Sequence, residues 1–255
     1  MKLMNETTWC FPRRRVAIGI VAATAAAATA CQGTSVRSAA DETAQRDDAA
    51  QEMHDAATVL QQVSAMPEGA PRDLWRDARC VAILPAIVKA AFVVGAQYGR
   101  GVADCRVGGT WSPPAFFTIG GGSFGAQLGV QSTDLVLFVM NDTGMRKLLH
   151  GKVELGADAS VAAGPVGRDA AASTDWRLRA EILAYSRSRG LFAGVDLGGA
   201  VLTQDRDRTR AVYGVDEDYR ELLEGRAAWP PSGTELLTAL MQSGGPPKGP
   251  AVSSR

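Results

Sequence analysis

The segment 121–125 reads GGSFG and matches G-x-S-x-G, the turn that presents the nucleophile in serine hydrolases, with Ser123 in the nucleophile position. In such an enzyme the turn follows a strand and opens a helix, and an acid and a histidine come later in the chain. Here a Gly-rich alternating run follows the motif, and His150 is the only later histidine. We therefore expect these glycines to let strands bend or cross closely, and serine hydrolysis stays a minor alternative. The overlapping G-x-G-x-x-G at 120–125 lacks the βαβ context of a dinucleotide site.

A second group of residues suits the binding of phosphate. Arginine forks and backbone N–H groups in turns hold phosphate oxygens well. Several cations of this chain lie close to glycine turns in the sequence and are candidates for contact with a lipid headgroup. The alternative is a solvated rim of weak surface ion pairs. The candidates are Lys89, Arg100, Arg168, Arg187 and Arg189.

One carboxylate, Glu181, stands within an otherwise apolar stretch and could in principle act as a general acid. No second acid is spaced to work with it. We expect it to pair instead with Arg179, Arg187 or Arg189, since buried charges are found paired.

The first 30 residues predict a secretory signal peptide. Arg13, Arg14 and Arg15 precede a short apolar run at 16–30, which is too short for a comfortable transmembrane helix. A small-x-small site then places Cys31 directly after the expected cut, which resembles a bacterial lipobox, although Ala28 replaces the usual large aliphatic residue. We predict that a palmitate chain is attached to Cys31 and that the protein is exported and anchored in the cell envelope, at the outer membrane facing the periplasm. Cleavage by ordinary signal peptidase is the alternative.

Two further cysteines, Cys80 and Cys105, would remain in the mature domain. In an oxidising compartment they could form a disulfide, or both could be small buried side chains, and the sequence leaves the two possibilities even. A metal site is not expected, because the chain has no C-x-x-C and only two histidines. No cofactor is predicted.

Composition indicates one globular domain behind a removable leader. Hydrophobic residues make up 46% of the 255 positions and glycines number 28, which favours β-rich structure over a helical bundle. The formal net charge is zero, and because the leader is basic the rest is slightly acidic. A nucleic-acid partner is therefore not expected, since phosphate contacts need a basic surface.

The order of elements predicts an α+β fold. Met53, Ala56, Leu60 and Val63 fall at helical spacing, and the Gln-rich, acidic polar face of this helix suits packing on a core better than lying on lipid. Further helices are expected at 71–79, 142–150, 216–225 and 232–243, and strands at 81–84, 87–95, 102–105, 115–119, 135–140 and 153–161. A turn is expected at 98–101, an interruption at 85–89 and a charged loop at 205–210. The sum is a Gly-rich antiparallel sheet, forming a sandwich or partial barrel, with helices at the N- and C-terminal ends.

The stretch 178–200 predicts a hairpin-like core element with its turn at 188–190 and a basic rim. Its run EILAYSRSRGLFAGVDLGGA resembles the signature of the SYLF family of lipid-binding domains, and the runs at 83–102, 121–141 and 152–168 are similar to that family too. The resemblance covers about 51–243. We divide the chain into a signal peptide at 1–30, a flexible tether at 31–50, the SYLF-like domain at 51–243 and a disordered tail at 244–255.

The resemblance implies a non-enzymatic module that binds membrane lipid, with phosphoinositides as the ligands of eukaryotic members. The bacterial-looking leader makes anionic phospholipids or glycolipids the expected partners here. In the family, lipid contact is associated with an N-terminal amphipathic segment, which corresponds to about 51–66 here. Eukaryotic members also engage actin, to which an exported bacterial chain would have no access. The alternative is a structural envelope lipoprotein that touches lipid only through Cys31.

Overall fold

The computed structural model describes residues 39–66, 70–163, 180–189, 197, 199–214 and 218–244, with backbone alone at 39, 91–94, 123–131, 162–163 and 188–189. The elements in these ranges are α1 (Ala39–Ala65), α2 (Arg72–Asp77), β1 (Cys80–Val107), β2 (Thr110–Trp111), β3 (Ala115–Val139), α3 (Asp142–Leu148), β4 (Lys152–Glu154), β5 (Val161–Ala163), β6 (Ile182–Arg189), β7 (Val201–Gln204), α4 (Arg206–Tyr213), α5 (Tyr219–Leu223), a 3₁₀ turn (Pro231–Gly233) and α6 (Thr234–Gly244).

A long antiparallel ribbon of β1 and β3 is the frame of the domain. The two strands pair from Cys80 opposite Val139 to Ala103 opposite Ala115, with register shifts at 84/87 and 92/94. The separate strands expected within 81–105 and within 115–140 are therefore two continuous strands. The alternation that marks a strand is broken in the sequence because each register shift changes which face a residue occupies.

The first register shift is a β-bulge at Pro85 and Ala86, as the expected interruption implied. Ala86 adopts a left-handed φ of 51°, and its N–H donates to Asp134 Oδ1 at 3.0 Å. A bulge bends the strand that carries it and leaves the extra residue outside the ladder. Here the backbone that leaves the ladder exposes Ala86 at the surface.

The two ends of β1 approach one another. The Arg106 N–H donates to the Arg79 carbonyl at 2.8 Å, and Cys80 and Cys105 are joined as a disulfide with 3.9 Å between their Cα atoms. A Cβ added to Gly101 would lie 2.2 Å from the Ile83 carbonyl oxygen. The turn predicted at 98–101 is thus wrong, because its glycines serve a close approach of two halves of one strand.

The remaining strands extend the ribbon at two places. β6 pairs antiparallel with β3 and carries the short β5 as its parallel neighbour, while β7 pairs antiparallel with the other end of β3 and with β4. The result is a curled, mainly antiparallel half-barrel with helices at the N- and C-terminal ends. The predicted α+β class is confirmed.

The strand predicted at 153–161 is interrupted. The alternating residues are divided between β4 and β5 by a turn at 156–158, where Gly156 has φ 90° and Asp158 Oδ2 accepts the Glu154 N–H at 2.8 Å. An aspartate side chain that bonds nearby backbone favours a turn over a ladder. The first strand of the predicted hairpin at 178–200 is present as β6, and most of its second arm, at 190–196 and 198, lies outside the described residues.

Two apolar layers hold the domain together. One lies within the curl of the sheet and contains Leu84, Phe117 and Leu137, with Tyr219 and Leu222 of α5 against it. The other lies between the outer face of the sheet and α1, α2 and α6. Its largest fully buried members are Trp75, Trp111, Phe116, Phe138, Met53 and Leu60.

The apolar face of α1 is therefore covered by its own domain, as the acidic polar face led us to expect. Met53, Ala56 and Leu60 have no exposed area. The helix also begins at Ala39, so the part of the predicted tether that is described is helical, and Ala49 is already buried. Residues 31–38 of that segment lie outside the described residues. Within the part of the chain that the structure describes, no helix is both long and apolar enough to cross a membrane.

The charged loop predicted after Asp205 is also helical. Asp205 caps α4 by accepting the Arg208 N–H at 3.1 Å, which is the favoured role of an aspartate at this position. Gly214 ends the helix with φ 77°. The segment 205–210 is polar because Arg206, Asp207 and Arg210 are exposed and the buried Arg208 is paired with carboxylates, not because it lacks structure.

Candidate functional site

Several predicted site residues lie outside what the structure describes. Cys31 and Arg168 belong to segments that are not described, and Arg189 is described by its backbone alone. These assignments stay predictions. Of the predicted disordered tail at 244–255, Gly244 is the last residue of helix α6, and residues 245–255 lie outside the described residues.

The G-x-S-x-G motif lies in the middle of β3. Ser123 pairs through its backbone register with Gly95 of β1, so no strand-to-helix turn occurs at this position. A Cβ on Gly121 would lie 3.0 Å from the Ala200 Cα. This contact agrees with the expectation that the glycines allow close crossing of backbones.

Arg187 is held by neighbouring side chains. Its guanidinium donates to Gln62 of α1, and its Nε lies 3.9 Å from Asp134 Oδ2. Asp134 in turn accepts the Ala86 N–H, so Arg187 stands on one side of the β1 bulge. Lys89, three residues beyond Ala86 in β1, is half-buried.

Glu181 has a different partner from the arginines that we expected. Both of its carboxylate oxygens accept from Lys147 Nζ, at 2.8 and 2.7 Å, and Oε2 also accepts the Ser160 N–H at 3.0 Å. The hydrogen bonds from Lys147 lower the pKa of Glu181 below its usual range. The side chain ties α3 to the start of β6 and to the segment before β5, and it has the role of a structural ion pair. Lys147 is 34 residues away in sequence, so local charge patterns could not find it.

Arg100 lies on the other side of the bulge, beside an exposed aromatic side chain. Its Nε donates to the Tyr98 hydroxyl at 3.1 Å, and its guanidinium carbon lies 5.9 Å from the Tyr98 ring centre. The exposed fractions of Tyr98 and Val88, both on β1, are 52% and 48%. Of the described large apolar side chains, only Met241 shares such exposure. A cation next to an exposed tyrosine is a combination that suits a membrane–water interface.

Next to Arg100 the structure forms an open cavity of about 240 Å³, which we call the acidic cavity. It lies between α1, α4 and the β1 bulge, and it collects more carboxylates than cations. Its lining residues are Asp48, Gln51, Glu52, Asp55, Pro85, Ala86, Arg100 and Arg208.

Arg208 is the centre of an ion-pair network at this cavity. Its guanidinium lies 3.1 Å from Asp205 Oδ2, 3.5 Å from Asp48 Oδ2 and, at Nε, 3.3 Å from Glu52 Oε2. Arg208 and Glu52 are 8% exposed at their side chains, whereas Asp48 is 65% exposed. The network joins α1 to α4, which the Arg46 side chain also does by donating to the Ala211 carbonyl at 2.7 Å.

Two atoms of the network are buried without a hydrogen-bond partner. They are Glu52 Oε1 and Arg208 Nε, whose approach to Glu52 Oε2 lacks hydrogen-bond geometry. Burial raises the pKa of Glu52 to about 8, and the positive charge of Arg208 limits the increase. The cavity therefore has a buried carboxyl with an unused acceptor, in surroundings where acids outnumber bases.

Asp104 of β1 is a further buried carboxyl among the described residues. It has no exposed area, and neither carboxylate oxygen has a hydrogen-bond partner. Burial raises the pKa of Asp104 well above its usual range. Asp104 does not line the acidic cavity. Its burial without a hydrogen-bond partner costs stability, and Asp104 is not part of the candidate site.

The raised pKa of Glu52 makes the stability of the fold decrease as the pH rises. The folded pKa of Glu52 lies above its unfolded value, so the folded state keeps the proton in the interval between about 4.5 and about 8. The resulting stabilisation is complete below that interval and is lost as pH rises through it. We expect Glu52→Gln, which cannot ionise, to gain stability relative to wild type over this interval, by on the order of a few kcal/mol.

Urea unfolding of both proteins at several pH values would measure this difference. Glu42→Gln is the matched control, because Glu42 is exposed on the same helix and does not line the cavity. Curves for wild type and Glu52→Gln that stay parallel across the interval would contradict the assignment of a raised pKa to Glu52.

The spacing of residues along α1 is a sequence signal for the burial of Glu52. Glu52 lies four residues before Ala56 and eight before Leu60, so helical spacing puts it on the apolar face of α1. Arg208 had no such signal, because its burial arises from α1 packing on α4. Among the residues described, no group of three His, Cys, Asp or Glu side chains is arranged to hold a metal ion.

Comparison with known proteins identifies the domain. Residues 120–243 match the family model described as Ysc84, Las17-binding protein actin regulator. The chain is 34% identical over 183 residues to protein YSC84 of Saccharomyces cerevisiae, which covers 70% of this chain and 39% of the yeast protein. It is 35% identical over 174 residues to SH3 domain-containing YSC84-like protein 1 of Xenopus laevis and 33% identical over 172 residues to its Homo sapiens counterpart, and each match covers 67% of this chain. These alignments cover 51% of the frog protein and 50% of the human one.

The chain therefore carries a domain of the Ysc84/SYLF family. It spans about two fifths to one half of the length of these relatives. The recognised part is thus a domain that relatives combine with other segments, and the names of the animal relatives mention an SH3 domain.

Proposed function

We propose that this chain is a non-enzymatic protein of a bacterial envelope, exported, anchored through a lipid on Cys31, and able to bind membrane phospholipid with its folded domain. The family membership and the signal-like segment at 1–30 support this proposal. The actin-regulator description of the family is not part of it, because an exported chain does not meet actin.

The observation that carries the proposal is the exposed pair of Arg100 and Tyr98 on β1. Arg100 can offer guanidinium N–H groups to a phosphate, while the exposed ring of Tyr98 and the methyl groups of Val88 can enter the interfacial layer of a bilayer. Of the other described candidates, Arg187 is occupied by Gln62 and Asp134, and Lys89 is half-buried. Arg100 is therefore the cation of this set that we assign to the headgroup.

Vesicle co-sedimentation of the chain starting at Gln32 tests the proposal. This form contains all of the compact unit 37–255 and has no acylated cysteine. We expect binding to anionic vesicles that exceeds binding to neutral ones and weakens in high salt, because phosphate contacts by cations are screened. We expect Arg100→Gln to weaken binding by about fivefold to tenfold, as for the loss of one charge-assisted hydrogen bond.

Arg220→Gln is the control for general charge, because Arg220 is an exposed cation on α5. Equal losses in the two variants would mean that net charge, and no site, governs the binding. If the chain ignores all vesicles, the phospholipid site is refuted and Cys31 is left as the single membrane contact, which is the structural-lipoprotein alternative.

A further inference from the structure

The acidic cavity adjoins the proposed phosphate contact, and its chemistry calls for a cation. Glu52 is buried, lines the cavity and has a carboxylate oxygen without a partner. Such an atom costs stability unless something donates a hydrogen bond to it. We propose that the acidic cavity binds a primary ammonium group, and that this group is the amine end of a phospholipid headgroup whose phosphate contacts Arg100. The inference rests on the proposed phospholipid binding and adds the class of headgroup.

The charges around the cavity favour a cation of this kind. Glu52 faces Arg208 and Asp205 from α4, Arg100 from β1 and Asp48 on its own helix. Asp55 also lines the cavity and accepts from Gln51 at 2.8 Å. Together these groups are four carboxylates and two guanidinium groups, so a bound monovalent cation brings the cluster closer to neutrality when the carboxylates are ionised.

The missing partner is a donor, which distinguishes a primary ammonium from other cations. When Glu52 is ionised, its Oε1 needs a hydrogen-bond donor, and a primary ammonium offers three N–H groups whereas a trimethylammonium offers none. Metal coordination is not favoured, because within the described residues no three acidic, Cys or His side chains converge as ligands. A cavity of about 240 Å³ has room for an ammonium and a short carbon arm.

The neighbouring residues would place the rest of the headgroup. Arg100 lines the cavity and holds Tyr98, so a phosphate bound at its guanidinium lies between the cavity and the exposed ring. In an ethanolamine headgroup and in a serine headgroup alike, a short carbon arm joins the phosphate to the ammonium group. The acidic cavity thus corresponds to the amine of the headgroup, Arg100 to its phosphate, and the exposed ring of Tyr98 to the lipid interface.

Two sets of measurements test the proposal with the chain starting at Gln32. The first compares binding to phosphatidylcholine vesicles with binding to vesicles in which part of that lipid is replaced by phosphatidylethanolamine. Both lipids are zwitterionic, so the comparison changes the amine and leaves the net charge constant. We expect about tenfold tighter binding with the primary amine, and we expect Glu52→Gln to remove this difference while Glu42→Gln keeps it.

The second set uses soluble probes in calorimetry, namely ethanolamine, O-phosphoethanolamine and tetramethylammonium. We expect the first two to bind, O-phosphoethanolamine the more tightly, and tetramethylammonium to fail. Because the pKa of Glu52 is raised to about 8 by burial, binding in neutral buffer should release a proton, which appears as a heat that depends on the buffer. Binding of free ethanolamine with no preference among vesicles would assign the cavity to a soluble amine instead of a headgroup.

The outcomes separate this inference from the proposed function. If vesicles bind with no preference for the primary amine and Glu52→Gln changes nothing, the inference is overturned and phospholipid binding stands. If no vesicle binds, the proposed function is refuted, and the soluble probes alone decide whether the cavity takes an ammonium. Calcium chloride that binds in a Glu52-dependent manner where ethanolamine does not would also overturn the inference.

Discussion

Gly101→Ala is expected to destabilise the domain by about 3 kcal/mol or more, because the added methyl group has no space and its neighbour cannot move away. The new Cβ would lie 2.2 Å from the Ile83 carbonyl oxygen and 3.0 Å from the Leu84 Cα. Both are backbone atoms of a strand that pairs with β3, so relief requires the two halves of β1 to separate. Chemical unfolding followed by the fluorescence of the buried Trp75 and Trp111 would measure the loss.

Gly120→Ala provides the matched control in the paired strand. A Cβ on Gly120 would meet no atom within 4 Å, and Gly120 lies in β3 opposite Tyr98. We expect a change within about 0.5 kcal/mol, or a small gain from the reduced freedom of the unfolded chain. Similar losses for the two alanine variants would show that strand propensity, and not the closure of β1, explains the effect at Gly101.

Gly101 also shows which features of the fold could be predicted from the sequence and which could not. A Gly at 99 and at 101, next to a tyrosine and an arginine, favours a turn when only neighbours along the chain are considered. The observed reason is a contact with residues 83–87, which the local sequence cannot reveal. The bulge at Pro85 was predictable, since a proline within a strand acts through local chemistry.

The candidate site was harder to predict from the sequence, because it also depends on contacts between residues that are distant in the chain. Cations near glycines were easy to find, but Arg187 is already occupied by Gln62 and Asp134 from distant parts of the chain. Glu52 and Arg208 meet across 156 positions, and their burial depends on how α1 lies on α4. Local patterns identify charged residues, while tertiary packing decides which of their atoms keep a free hydrogen-bonding position.

Reduction of the disulfide between Cys80 and Cys105 should cost about 3 kcal/mol of unfolding free energy. The bond closes a loop with a sequence separation of 25 residues, and the loop-entropy estimate for that length is of this size. It joins the two ends of β1 at the level where the Arg106 N–H reaches the Arg79 carbonyl. Urea unfolding of the chain starting at Gln32, with and without a thiol reductant, would measure the loss as a lower midpoint.

The paired variant Cys80→Ala/Cys105→Ala separates the covalent bond from other effects of the reductant. Both cysteines are fully buried, so the variant also loses a little packing, and we expect it to resemble the reduced wild type and to ignore the reductant. A wild-type midpoint that does not respond to the reductant would contradict the prediction. If the reduced chain is weakened but still folds, the close packing of Gly101 on Ile83 and the backbone hydrogen bond from Arg106 suffice to hold the two halves of β1 together.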